Sequence, residues 1–61
     1  FTTRLALKDM SLVLAAGDMA RVPLPSASLL RDRLLAAIAH GDADRDWAVL
    51  AREQARTAGL E

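Results

Sequence analysis

Residues 1–20 read FTTRLALKDMSLVLAAGDMA, and their pattern decides the fold. Successive residues of an α-helix turn by about 100°. On that wheel Arg4, Ser11, Ala15 and Asp18 share one narrow side, with Lys8 at its edge. Leu5, Leu7, Met10, Leu12, Val13, Leu14, Ala16 and Met19 spread over most of the remaining circumference. Asp9 breaks this division. It falls between Leu5 and Val13, close in angle to Ala16 and Ala20. A carboxylate within an apolar face is costly to bury unless it is paired or hydrogen-bonded. Lys8-Asp9 is therefore the feature of this stretch that needs a chemical explanation.

The rest of the chain supplies two more helices, giving an all-α expectation over about 3–21, 25–40 and 46–58. Thr2 or Thr3 caps the first, and Arg21 ends it with a charge that suits the helix dipole. Gly17 lies inside, which implies either tolerated strain or the close approach of another helix. VPLP, residues 22–25, stops the first helix, because each proline pushes its predecessor towards extended geometry. Pro25 suits the first position of the second helix, with Ser26 as a competing cap. Ala27, Leu30, Leu34, Ala37 and Ile38 recur there at helical spacing and form its core stripe, leaving Arg31, Asp32 and Arg33 solvated. Gly41 fits the left-handed position after a helix. DADRD, residues 42–46, follows as an acidic turn in which Asp46 caps the third helix. It lacks the glycine and the later glutamate of a calcium loop, so no metal site is expected. Trp47, Leu50, Ala51 and Ala58 share a face of that helix, with Arg52, Glu53 and Arg56 opposite, Glu53 and Arg56 pairing three residues apart. Gly59 ends it, and Leu60-Glu61 is a frayed tail.

Composition narrows the function classes. At 61 residues the chain is one domain at most, and a lone domain this small is marginal. Without cysteine it has no disulfide or thiolate site to compensate. A net charge of zero and the two aromatic residues Phe1 and Trp47, far apart in sequence, do not suit nucleic acid. No apolar run approaches the ~20 residues that span a bilayer, and no secretory leader is visible, so a cytoplasmic protein is expected. A helix apolar round most of its circumference needs neighbours on more than one side. Together with Phe rather than Met at position 1, that suggests a piece of something larger.

No catalytic constellation is complete in these residues. His40 is the single histidine, at a helix end, where an inert surface role is the expectation. The serines at 11, 26 and 28 have no histidine at a suggestive spacing, and there is no glycine-rich phosphate loop. Lys8-Asp9 remains open to two readings. Lys8 snorkels to solvent while Asp9 accepts a buried hydrogen bond, or the pair serves a ligand. A lysine supplies a compact charge and movable donors, and the adjacent carboxylate orients it or takes up a substrate hydroxyl. Phe1 lies two turns before Lys8, roughly 10 Å along the axis, on a similar side if the helix reaches back that far.

Phe1, Lys8-Asp9 seven and eight positions later, the apolar helix, VPLP, the Leu/Ala helix ending at Gly41, and Asp46-Trp47 occur in a familiar order. Over about residues 1–50 the chain resembles the C-terminal end of the β-hydroxyacid dehydrogenases, the family of 3-hydroxyisobutyrate dehydrogenase and tartronate semialdehyde reductase within the 6-phosphogluconate dehydrogenase superfamily. The resemblance implies an N-terminal Rossmann domain binding NAD or NADP, a connecting helix, and an all-helical C-terminal domain that completes a substrate cleft. By that likeness Lys8 contacts the cofactor near its nicotinamide end, and Phe1 and Asp9 line or brace the substrate side. The family's catalytic lysine would lie upstream of Phe1, so residues 1–61 carry no catalytic residue and are expected to be inactive alone. The expected partners are a small hydroxyacid, the parent's own Rossmann domain and a second subunit. The rival reading is a self-contained interaction module that dimerises through Leu5, Leu12, Val13 and Met19. A helical DNA-binding domain is disfavoured, because no helix carries a basic face.

Overall fold

The structure is a computed structural model and describes residues 1–60. Helix α1 spans Thr3–Ala20, α2 Pro25–Ala39 and α3 Leu50–Thr57, with a 3₁₀ turn at Trp47–Val49 leading into α3. The fold is all-α, as the periodicity predicts, with an isolated antiparallel bridge between Thr2 and Asp46. The third helical segment differs from expectation. It opens as the 3₁₀ turn and becomes α-helical only at Leu50.

Each terminus has a local cause. Thr2 caps α1, its Oγ1 accepting from the Leu5 amide at 3.2 Å. Pro25 opens α2 at its first turn, and no side chain caps that end. Asp46 caps the 3₁₀ turn, its Oδ1 accepting from the Ala48 amide at 2.9 Å. All three helices close with the same paired backbone bonds. In α1 these run from the Val22 amide to the Gly17 carbonyl (2.9 Å) and from the Arg21 amide to the Asp18 carbonyl (3.3 Å). In α2 they run from Asp42 to Ala37 and from Gly41 to Ile38, and in α3 from Leu60 to Ala55 and from Gly59 to Arg56. The motif requires a left-handed residue. Gly41 and Gly59 supply it at φ 90° and 79°, and Arg21 supplies it at φ 59°. Arg21 thus ends α1 through its backbone conformation, at a steric cost that glycine avoids. Arg21→Gly is expected to stabilise the fold by about 1 kcal/mol. The thermal midpoint should rise by about 4–8 °C; an unchanged or lower midpoint would show that the Arg21 side chain contributes more than its backbone costs.

Gly17 answers to close approach, though by the connection rather than by another helix. A Cβ built there would sit 2.6 Å from Leu24 Cδ1 and 3.1 Å from the Val22 carbonyl oxygen. The chain folds back over Gly17 as it leaves α1.

Helix α1 packs along α2 through one stripe. Thr3, Ala6, Met10 and Gly17 lie within about 60° of arc on the α1 wheel, and Thr3, Ala6 and Gly17 are buried. From α2, Leu34 and Ala37 are buried, while Ala27, Leu30 and Ile38 are half-buried, which bears out the expected stripe. The apolar core is small: Ala6, Leu34 and Ala37. Its small residues let the helices approach but leave little apolar area to bury. The molecule measures 39 × 23 × 15 Å, with a radius of gyration of 12.2 Å. A compact chain of this length has about 10.5 Å, so the helices form a flat slab. Among the described residues no helix is long and apolar enough to cross a membrane.

Candidate functional site

The DADRD turn is welded to the start of α1. The first amides of a helix have no partner within it. Here the Thr3 amide donates to the Arg45 carbonyl (2.8 Å) and the Arg4 amide to the Ala43 carbonyl (2.9 Å). Thr3 Oγ1 also donates to the Arg45 carbonyl, at 3.1 Å. The Trp47 amide donates to the Phe1 carbonyl at 2.9 Å. These bonds bring the two aromatic residues together across the chain. Their ring centroids lie 6.4 Å apart at 72°, an edge-to-face pair.

Beneath that pair lies a pocket of about 260 Å³ lined by Phe1, Ala6, Asp9, Met10, Leu30, Leu34 and Trp47. The lining is almost wholly apolar, and Asp9 is the one residue with a charged side chain among those that border it. Of the residues singled out in the sequence, Phe1 and Asp9 therefore converge on one cavity, and Lys8 lies outside it. Phe1 precedes the first turn of α1, so the helix does not reach back to place it with Lys8. Trp47, which the sequence places on the core face of the third helix and in the Asp46-Trp47 step but not among the site residues, joins them. The signal available was its place directly after the capping Asp46.

Asp9 is exposed, which corrects the expectation that it is buried on an apolar face. Helix α2 covers the Thr3–Ala6–Met10 side of α1, and Asp9 lies at the edge of that contact. Lys8 is exposed as well. Neither residue has a hydrogen-bond or ion-pair partner among the described residues.

A second polar cluster joins the far end of α2 to α3. His40 Nδ1 lies 2.8 Å from Glu53 Oε1, and Arg56 donates to the same oxygen. Arg56 Nη2 also faces Asp42 Oδ2 at 3.6 Å, and Arg45 Nε faces Asp42 Oδ1 at 3.3 Å. Glu53 and Asp42 are 4% and 5% exposed. The sequence placed Glu53 on the solvated side of the third helix and left His40 without a role. Both expectations fail, because α3 turns its polar side towards the end of α2. Trp47, Ala51 and Ala58, expected on the core face, are exposed. The acids of the turn are each engaged: Asp42 by Arg45 and Arg56, Asp44 by Arg4 (3.4 Å), and Asp46 by the Ala48 amide. Among the described residues no group of three potential ligands is placed to hold a metal ion.

The Ala48 amide holds the Asp46 carboxyl below the ordinary carboxylate range. A carboxyl lowered in the folded state stabilises the fold above the unfolded-state value of about 4 and loses that contribution as pH falls below it. Asp46→Ala should therefore lower the thermal midpoint at pH 6. The gap to the parent should narrow as the pH is taken from 5 towards 2.5. A gap independent of pH would mean that the charge on Asp46 contributes nothing.

No family model, no curated protein and no solved structure matches this chain.

Proposed function

We propose that this chain is the C-terminal helical part of an NAD(P)-dependent oxidoreductase of the β-hydroxyacid dehydrogenase type, closing the substrate side of an interdomain cleft. The observation that supports this best is the convergence of Phe1 and Asp9 on one pocket. Those are the two residues that the resemblance assigns to the substrate side. In this reading Asp9 accepts the hydrogen of a substrate hydroxyl, and Phe1 and Trp47 screen the reacting end from water. Lys8, exposed and without a side-chain partner among the described residues, is the residue of this chain that fits a cofactor: its ammonium can donate to an oxygen at the nicotinamide end. The glycine-rich turn that binds a dinucleotide pyrophosphate is not among these residues, so the chain by itself should be inactive. Hydride transfer is the chemistry that the bound cofactor would supply. These side chains position and desolvate.

The test is kinetic. The complete parent protein should interconvert a β-hydroxyacid and its oxo acid or semialdehyde with NAD(P). Lys8→Ala in that protein should raise the cofactor KM or lower kcat by about tenfold, the worth of one charge-assisted hydrogen bond. Unchanged kinetics would remove Lys8 from the site.

The uncovered face of α1 favours a second reading, a helical module that pairs with another chain. Leu12 and Met19 are 61% and 87% exposed, with Leu5 and Val13 beside them. Sedimentation equilibrium separates the two readings, since a module would dimerise in the isolated state and lose that ability on Leu12→Lys.

A further inference from the structure

We infer that the pocket under Phe1 and Trp47 receives an apolar substituent of the substrate, so that the hydroxyacid this protein takes carries a branched alkyl group larger than methyl. The inference rests on the dehydrogenase reading, which it deepens by naming the class of hydroxyacid.

The lining sets the chemistry of what enters. Ala6, Met10, Leu30 and Leu34 form a floor that is almost wholly apolar. A water held inside a protein needs roughly two to four polar partners, and this floor offers next to none. The volume of about 260 Å³ is room for roughly eight waters at ~30 Å³ each. Replacing that water by carbon is favourable in proportion to the apolar area covered. A hydrogen or methyl substituent leaves most of the room to water, whereas an isobutyl group covers far more of the floor. A hydroxyl or carboxylate placed there would give up its bonds to water without a partner.

The mouth sets which end enters. Asp9 borders the pocket and is exposed, so a substrate hydroxyl that donates to it stays at the rim. The substrate carboxylate stays outside with it, in water, and the apolar substituent is the part left to turn inward. Phe1 and Trp47 close one side as a unit. The Trp47 amide donates to the Phe1 carbonyl at 2.9 Å, and the two rings meet edge to face. The rings are 60% and 48% exposed, so they keep carbon surface for a substituent to cover. Trp47 is thereby a specificity-determining residue: it walls the pocket and fixes the Phe1 ring beside it.

The complete parent protein should be assayed with NAD(P) on 3-hydroxypropionates that carry hydrogen, methyl, ethyl, isobutyl or hydroxymethyl at carbon 2. From hydrogen to isobutyl, kcat/KM should rise about threefold per carbon. The hydroxymethyl acid should fall about tenfold below the ethyl acid. Trp47→Ala should cut the isobutyl-to-hydrogen ratio about fivefold, and Trp47→Phe should restore most of it. Circular dichroism should show the same helix content in both variants. Binding is read without turnover as well, because Trp47 is the single tryptophan of residues 1–61 and lines the pocket. Its emission in the 61-residue chain should change saturably with the isobutyl acid, at concentrations about tenfold below those needed for the hydroxymethyl acid. Turnover that is flat across the series, or greatest for hydrogen or hydroxymethyl, would overturn the inference and leave the dehydrogenase reading standing. So would an isobutyl-to-hydrogen ratio unmoved by Trp47→Ala, or an emission that does not saturate. No turnover of any of the five acids would overturn the reading and the inference with it.

Discussion

Leu34→Ala should abolish or nearly abolish cooperative thermal unfolding of this chain. Leu34 is 1% exposed, the largest fully buried side chain, and it sits where α2 meets α1. Truncating a buried leucine costs about 2–5 kcal/mol, from lost transfer free energy and the cavity left behind. A 61-residue fold has about 3–9 kcal/mol in total at the usual stability per residue. The other buried apolar residues among those described are Ala6 and Ala37, which have no further atoms to fill a hole. The midpoint followed by circular dichroism at 222 nm should fall by at least about 10 °C, or the folded baseline should disappear. Leu29→Ala is the matched control. Leu29 is 60% exposed on the same helix, and its truncation should stay within about 0.5 kcal/mol. Equal effects at the two positions would mean that the α1–α2 contact is not the core.

Glu53→Ala should release α3. Helix α3 has eight residues, too short to persist alone in water. It is held to the rest of the fold by the bond of Glu53 to His40, by Asp42 facing Arg56, and by the Arg33–Thr57 hydrogen bond of 3.1 Å, while Arg56, within α3, donates to Glu53. Removing Glu53 leaves Arg56 facing Asp42 alone and costs about 2 kcal/mol, a fall in midpoint of roughly 8–16 °C. Amide exchange locates the effect: residues 50–57 should lose protection while α1 and α2 keep theirs. Glu53→Gln keeps the shape and accepts one hydrogen bond, so it should recover part of the loss. Full protection in Glu53→Ala would show that α3 is held by its half-buried Leu50 and Ala55 instead.

Much of this architecture is written locally. The apolar spacing of residues 3–20, the VPLP stop, Pro25 at a helix start and glycines at 41 and 59 each act within a turn of chain. They need no partner to take effect, and the structure places two of the three helices within a residue of expectation. The capping role of Asp46 was legible for the same reason. What misled was the wheel of the third helix. Its apolar residues are few, and a pattern of charges looks the same whether it faces water or a set of complementary charges. Only the position of Asp42, Arg45 and His40 in space tells the two apart.

The site divides along the same line. The sequence by itself determined three helices, their punctuation, and the presence of a charged Lys8-Asp9 pair on a largely apolar helix. Tertiary structure decided that Asp9 and not Lys8 shares a pocket with Phe1, and that Trp47 joins them. It also decided that Glu53 is buried and that the Leu12–Met19 face of α1 is left open. Local order follows from bonds that close within a few residues. Which groups meet across the chain depends on the backbone bonds between residues 1–4 and 43–47, whose donors and acceptors are the same in every sequence and so leave no mark in the pattern of side chains.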